Sequence, residues 1–97
     1  MEIRELLKQG RAIWGEKKLP LAQIIIRYGK NLGDLCRHER NASKDVKTHT
    51  DDDLKKELGN MIFSTIRWCD DLGYDPEECI TLAKECQQKF ARENPSH

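Results

Sequence analysis

Apolar residues recur at three- and four-residue spacing through four separate stretches of the chain, which is the period of amphipathic α-helices. Ile3, Leu6, Leu7, Ile13 and Trp14 mark the first, from about Glu2 to Trp14, with Gly10 weakening its middle. A charged link from Gly15 to Lys18 follows. Pro20 then stands where a first helical turn tolerates proline, ahead of a second stripe of Leu21, Ile24, Ile25, Tyr28, Leu32, Leu35 and Cys36. That helix is expected to reach His38 to Asn41. Ile24-Ile25-Ile26 has β propensity, but the helical period sustained around it decides for helix.

Ala42 to His49 has little apolar content and no period, and reads as a solvated connection. Thr50 is the expected N-cap of a third helix, because Asp51, Asp52 and Asp53 fill a first turn whose dipole favours negative charge. Leu54, Leu58, Met61, Ile62, Thr65, Cys69 and Leu72 form its stripe, and Gly73 ends it as a C′ glycine would. Asp75-Pro76-Glu77-Glu78 restarts the chain with Asp at the N-cap, Pro at N1 and Glu at N3. Cys79, Leu82, Ala83, Cys86 and Phe90 are the inner seam of this fourth helix, which runs to about Arg92. Residues 93–97 should fray.

Composition narrows the function. A single domain spanning 97 residues builds only a small core, and at this length folding buries about 60 to 65% of the unfolded surface, so association with further copies is expected. Seventeen basic and 17 acidic residues cancel to a formal charge of zero, which argues against a dedicated nucleic-acid surface. No run approaches the ~20 apolar residues of a membrane span. The acidic start Met-Glu-Ile-Arg-Glu does not read as a signal peptide, and a cytoplasmic location is expected. Cys36, Cys69, Cys79 and Cys86 lack the C-x₂-C spacing of zinc sites and are expected as buried free thiols.

Two short stretches carry candidate chemistry. Asn31-Leu32-Gly33-Asp34 and Glu57-Leu58-Gly59-Asn60 each place a polar pair at i, i+3, hence on one helix face. Projection at ~100° per residue sets Arg27, Asn31, Asp34 and His38 in a ridge bordering the second stripe. Glu57, Asn60, Ser64 and Asp71 border the third in the same way. Packing the stripes draws both ridges partly out of water, where acidic groups need a cation or a donor. Cross-helix hydrogen bonding in an ordinary bundle gives such ridges too. Gly33 and Gly59 each weaken a helix interior by about 1 kcal/mol, a sacrifice that makes sense where another helix approaches closely.

On these residues the chain resembles the MazG-like, all-α nucleoside triphosphate pyrophosphohydrolases. The likeness is best from Leu54 to Phe90, over Lys56-Glu57-Leu58-Gly59-Asn60, Met61-Ile62-Phe63, Arg67, Asp70 to Gly73 and Asp75-Pro76-Glu77-Glu78, and reaches back more weakly to about Pro20. The resemblance implies an all-α, four-helix bundle completed by dimerisation, as a homodimer or homotetramer. It implies a nucleoside triphosphate substrate, cleaved to the monophosphate and pyrophosphate. In the family an E-x-x-E and an E-x-x-D pair hold Mg²⁺. Those positions fall here on Asn31 and Asp34 and on Glu57 and Asn60, and an often acidic preceding position falls on Lys30.

The metal ligands implied are therefore Asn31, Asp34, Glu57 and Asn60, with Asp34 and Glu57 the residues that would carry catalysis. Each carboxylate-to-amide change removes a negative charge from the shell, so binding of Mg²⁺, or of Mn²⁺ in its place, is expected to be weak or absent. Cys86 also stands where the family's last helix carries an amide. Two readings follow: a pyrophosphohydrolase with a weakened Mg²⁺ site, or a catalytically silent relative serving as a nucleotide- or protein-binding helical module.

Overall fold

A computed structural model describes residues 2–43 and 50–96, the side chains of Ala42 and Ser43 excepted. It is all-helical: α1 (Ile3–Trp14), α2 (Leu21–Ser43), α3 (Asp51–Asp71) and α4 (Pro76–Glu93). The helices begin and end where local chemistry directs. Thr50 accepts from the Asp53 N–H at 3.2 Å while Asp53 accepts from the Thr50 N–H at 3.2 Å, a reciprocal capping box. At the far end of α3, Gly73 (φ +83°) turns the chain back. Its N–H reaches the Asp70 carbonyl and the Tyr74 N–H reaches that of Cys69, each at 2.9 Å, which is a Schellman cap. Asp75 then accepts from the Glu77 N–H at 3.0 Å with Pro76 opening α4. α2 runs two residues past its expected end and takes in Ala42 and Ser43 of the expected connection; the rest of that stretch, residues 44–49, lies outside the described residues.

α3 is the central element, with α2 on one side and α1 on another. Against α2, Trp68 (4% exposed) packs with Ile24 and with Leu19 of the α1–α2 link, and Tyr28 and Leu72 close over them. Tyr28 meets the Trp68 ring edge-on at 4.2 Å between centroids. The Thr65 hydroxyl lies 2.6 Å from the Met61 carbonyl, which can only accept, and 2.6 Å from the Tyr28 hydroxyl. Thr65 thus donates to Met61, and Tyr28 donates to Thr65. Against α1, the ring of Trp14 tilts onto Phe63 at 4.8 Å and lies close upon Gly10, where a Cβ would collide with it. Gly10 is the glycine whose missing side chain a packed ring requires.

A cluster of ions ties α1 and the α1–α2 link to α3. One Arg11 nitrogen lies 2.6 Å from Asp70 and 2.6 Å from Asp71, and Lys18 adds a 2.7 Å contact to Asp70. Asp71 has a fully buried side chain, and Arg67 approaches its second oxygen at 3.4 Å, aligned too poorly for a hydrogen bond. Both guanidinium groups also sit over the Trp14 ring, at 5.8 and 5.6 Å from its centroid.

The apolar stripes are wider than what the chain itself covers. Among the described residues four hydrophobic side chains are buried, Leu19, Ile24, Ile66 and Trp68, whereas Ile13, Leu21, Ile25, Leu32, Leu58 and Ile62 stand exposed. α4 rests on the end of α3, and every residue from Ile80 to Glu93 is exposed, the expected seam of Leu82, Ala83, Cys86 and Phe90 included. The radius of gyration, 16.3 Å, exceeds the roughly 12.5 Å of a compact chain this long. Of the expected buried thiols, Cys36 and Cys86 are exposed and Cys69 and Cys79 half-buried; all are free. No described helix is long and apolar enough to cross a membrane.

Candidate functional site

Of the polar ridges projected on α2 and α3, Asp34, His38 and Glu57 line a common cleft. Three carboxylates, Asp34, Asp53 and Glu57, line one open cleft of about 220 Å³. They share it with Arg37, His38, Asn41 and Lys56. The packing of Trp68 and Tyr28 sets the α2–α3 register that brings Asp34 opposite Glu57, one from each helix. Asn31 and Asn60 are not among the lining side chains: Asn31 is half-buried further along α2, and Asn60 is exposed. Of the four ligand positions implied by the resemblance, the structure brings together the two that kept a carboxylate.

Electrostatics in the cleft differ from those of a cation cage. Arg37 donates to Asp34 at 3.2 Å, a partner one helical turn away that already answers the charge Mg²⁺ would use. Asp53 spends an oxygen on the α3 cap, and its carboxyl is held below the usual range, first by the Thr50 hydroxyl. His38 lies 3.3 Å from the Thr50 carbonyl through Nε2. Because a carbonyl accepts only, Nε2 carries the proton. Among the described residues no group of three or more His, Cys, Asp or Glu side chains is placed to hold a metal ion.

A resident Mg²⁺ needs several anionic oxygens converging at 2.0–2.1 Å. The donor set here offers a carboxylate paired to arginine, one engaged in a helix cap, and Glu57, with Lys56 beside them. These residues do not fit a Mg²⁺ held by the protein alone. They do offer donors from Arg37 and Lys56 next to the acceptors Asp34, Glu57 and Asn41, a mixed set suited to a phosphorylated, hydrogen-bonding ligand.

Arg37 was within reach of sequence reading, since it follows Asp34 by one turn. Lys56 reads as solvated face by pattern, and it is exposed while still lining the cleft. Asp71, placed on the ridge by projection, is drawn instead into the Arg11 cluster. Its partner lies 60 residues away and leaves no periodic trace. Gly33 and Gly59 have no atom within 4 Å of where a Cβ would stand, so no close helix approach within the protomer explains them. No protein-family model, curated protein or solved structure matches the chain.

Proposed function

We propose that this protein is a MazG-like helical module that binds a nucleoside triphosphate in the α2–α3 cleft, with no more than residual hydrolysis to monophosphate and pyrophosphate. The observation that carries the reading is the pairing of Asp34 with Arg37 inside the cleft that Glu57 also lines. A guanidinium next to Lys56 favours phosphate oxygens directly, whereas the strong Mg²⁺ shell that hydrolysis requires lacks charge. Calorimetry with a panel of ribo- and deoxyribonucleoside triphosphates tests binding, in chelator and in Mg²⁺. Binding that persists in chelator and weakens on Arg37→Ala or Lys56→Ala supports the proposal. No binding to any nucleotide refutes it. Pyrophosphate release well above background and abolished by Glu57→Gln would instead establish the hydrolase reading.

The protein is also proposed to work as a homodimer or homotetramer. Leu21, Ile25 and Leu32 of α2 and Leu58 and Ile62 of α3 are exposed in numbers that a domain with four buried apolar side chains does not tolerate well in water. Sedimentation at several concentrations checks this, and a monomer throughout would overturn it.

A further inference from the structure

α4 leaves the rest of the protein at one sharp turn, and a pair of thiols lies across that turn. Cys69 sits in the last turn of α3, where its carbonyl accepts from the Tyr74 N–H at 2.9 Å and Gly73 reverses the chain. Cys79 closes the first turn of α4, its N–H on the Asp75 carbonyl at 3.1 Å. Cys69 and Cys79 thus flank one reversal of the chain, close enough for their thiols to interact, and both are half-buried. Two caps hold this reversal, the Schellman motif on one side and the Asp75-Pro76 start on the other. Beyond Cys79 every residue of α4 is exposed, so the turn governs where the helix points.

We infer that Cys69 and Cys79 form a reversible dithiol–disulfide pair that locks the angle between α3 and α4. The oxidant is a low-molecular-weight disulfide of the glutathione type. The Cys79 thiol gives up its proton and attacks one sulfur of the oxidant, forming a mixed disulfide and releasing the first small thiol. Cys69 then loses its proton and attacks the Cys79 sulfur, forming the internal disulfide and releasing the second. The protein loses two hydrogens and two electrons, and the oxidant takes them up as two thiols.

The order follows from surroundings. Burial, reinforced by Cys79 itself, pushes the Cys69 thiol up to about 11, which leaves it the slower nucleophile toward an outside reagent. As the second attacker it needs no encounter, because its target is carried across the same turn of the chain. Closed, the pair fixes the direction in which α4 presents Ile80, Leu82 and Phe90; open, it leaves that direction to the turn. The inference stands apart from the nucleotide reading and shares no residue with it.

Both thiols fall within one tryptic peptide, Trp68 to Lys84, so closure reads as loss of two hydrogens from that peptide. The full chain would be incubated with oxidised glutathione, its remaining thiols blocked, and the digest weighed. The expected result is a closed Trp68–Lys84 peptide, restored by dithiothreitol, forming at a rate unchanged by about tenfold dilution of the protein as an intramolecular step must. Amide exchange along α4 should slow several-fold in the oxidised form. Stable glutathione adducts without closure, crosslinks only between chains, or α4 exchange equal in both states would each overturn the inference. Cys36→Ser with Cys86→Ser removes the two exposed competitors. If that variant fails to fold, the native digest still decides the question.

Discussion

Arg11→Met is the substitution that most directly probes what joins α1 to α3. One Arg11 nitrogen is shared between Asp70 and Asp71, both at 2.6 Å, and the side chain is only 10% exposed. Burial pulls the guanidinium's pKa down, and the hydrogen bonds it donates to Asp71 and Asp70 outweigh that, so the charged form is held firmly. Methionine keeps much of the volume and leaves the carboxylates behind. Asp70 retains Lys18 at 2.7 Å, whereas the fully buried Asp71 is left with Arg67 at a poorly aligned 3.4 Å. Stripping one partner from a buried pair costs about 3–5 kcal/mol, and the surviving partners put this case near 3. A domain of this size has on the order of 5–15 kcal/mol in total, so the loss is a large fraction of it. At about 4–8 °C per kcal/mol, the melting temperature should fall by roughly 12–24 °C. Urea unfolding followed by circular dichroism measures the change. Adding Asp71→Leu to Arg11→Met should recover part of it, because the double change leaves less charge stranded. A single-variant cost below about 1 kcal/mol, or a double variant equal to the sum of its parts, would refute the reasoning.

Three further outcomes are expected. Gly10→Ala should destabilise despite the better helix former, because its Cβ meets the Trp14 ring, while Gly33→Ala and Gly59→Ala should stabilise by about 1 kcal/mol in open space; thermal melts compare them, and a loss at Gly59 would mean that another chain packs there. Thr50→Ala removes the α3 cap and should cost about 1 kcal/mol by urea unfolding, with amide exchange rising first around Asp53. The Asp70 carboxyl is held below its ordinary 3.8, first by Lys18 and then by Arg11. A depressed carboxyl contributes stability that is complete above its unfolded value and disappears as pH falls through the folded one. The urea midpoint should therefore drop below about pH 4, and Asp70→Asn should flatten that drop; an unchanged slope would contradict the ion-pair account.

Much of this fold is legible along the chain because its causes are local. The Thr50 and Asp75 caps, the Gly73 stop and Pro76 each act within a turn of their own position, and the helices begin and end at them. The flank carrying Asp34 and Glu57 was legible too, since helical projection is a property of one helix at a time. Tertiary packing alone decided the rest. Periodicity marks Leu21, Ile25, Leu32 and the α4 seam as apolar, but whether an apolar stripe is buried depends on a second surface to cover it, and the chain itself supplies too little. Arg11 finds Asp70 and Asp71 across about sixty residues because α1 docks on α3, and Asp71 serves that contact rather than the cleft, which lies more than three turns away along the same helix. The sequence by itself determined four helices and a polar flank. Only the three-dimensional arrangement decided that two of the four proposed ligand positions share a cleft, since convergence depends on the register between helices, which no single helix encodes.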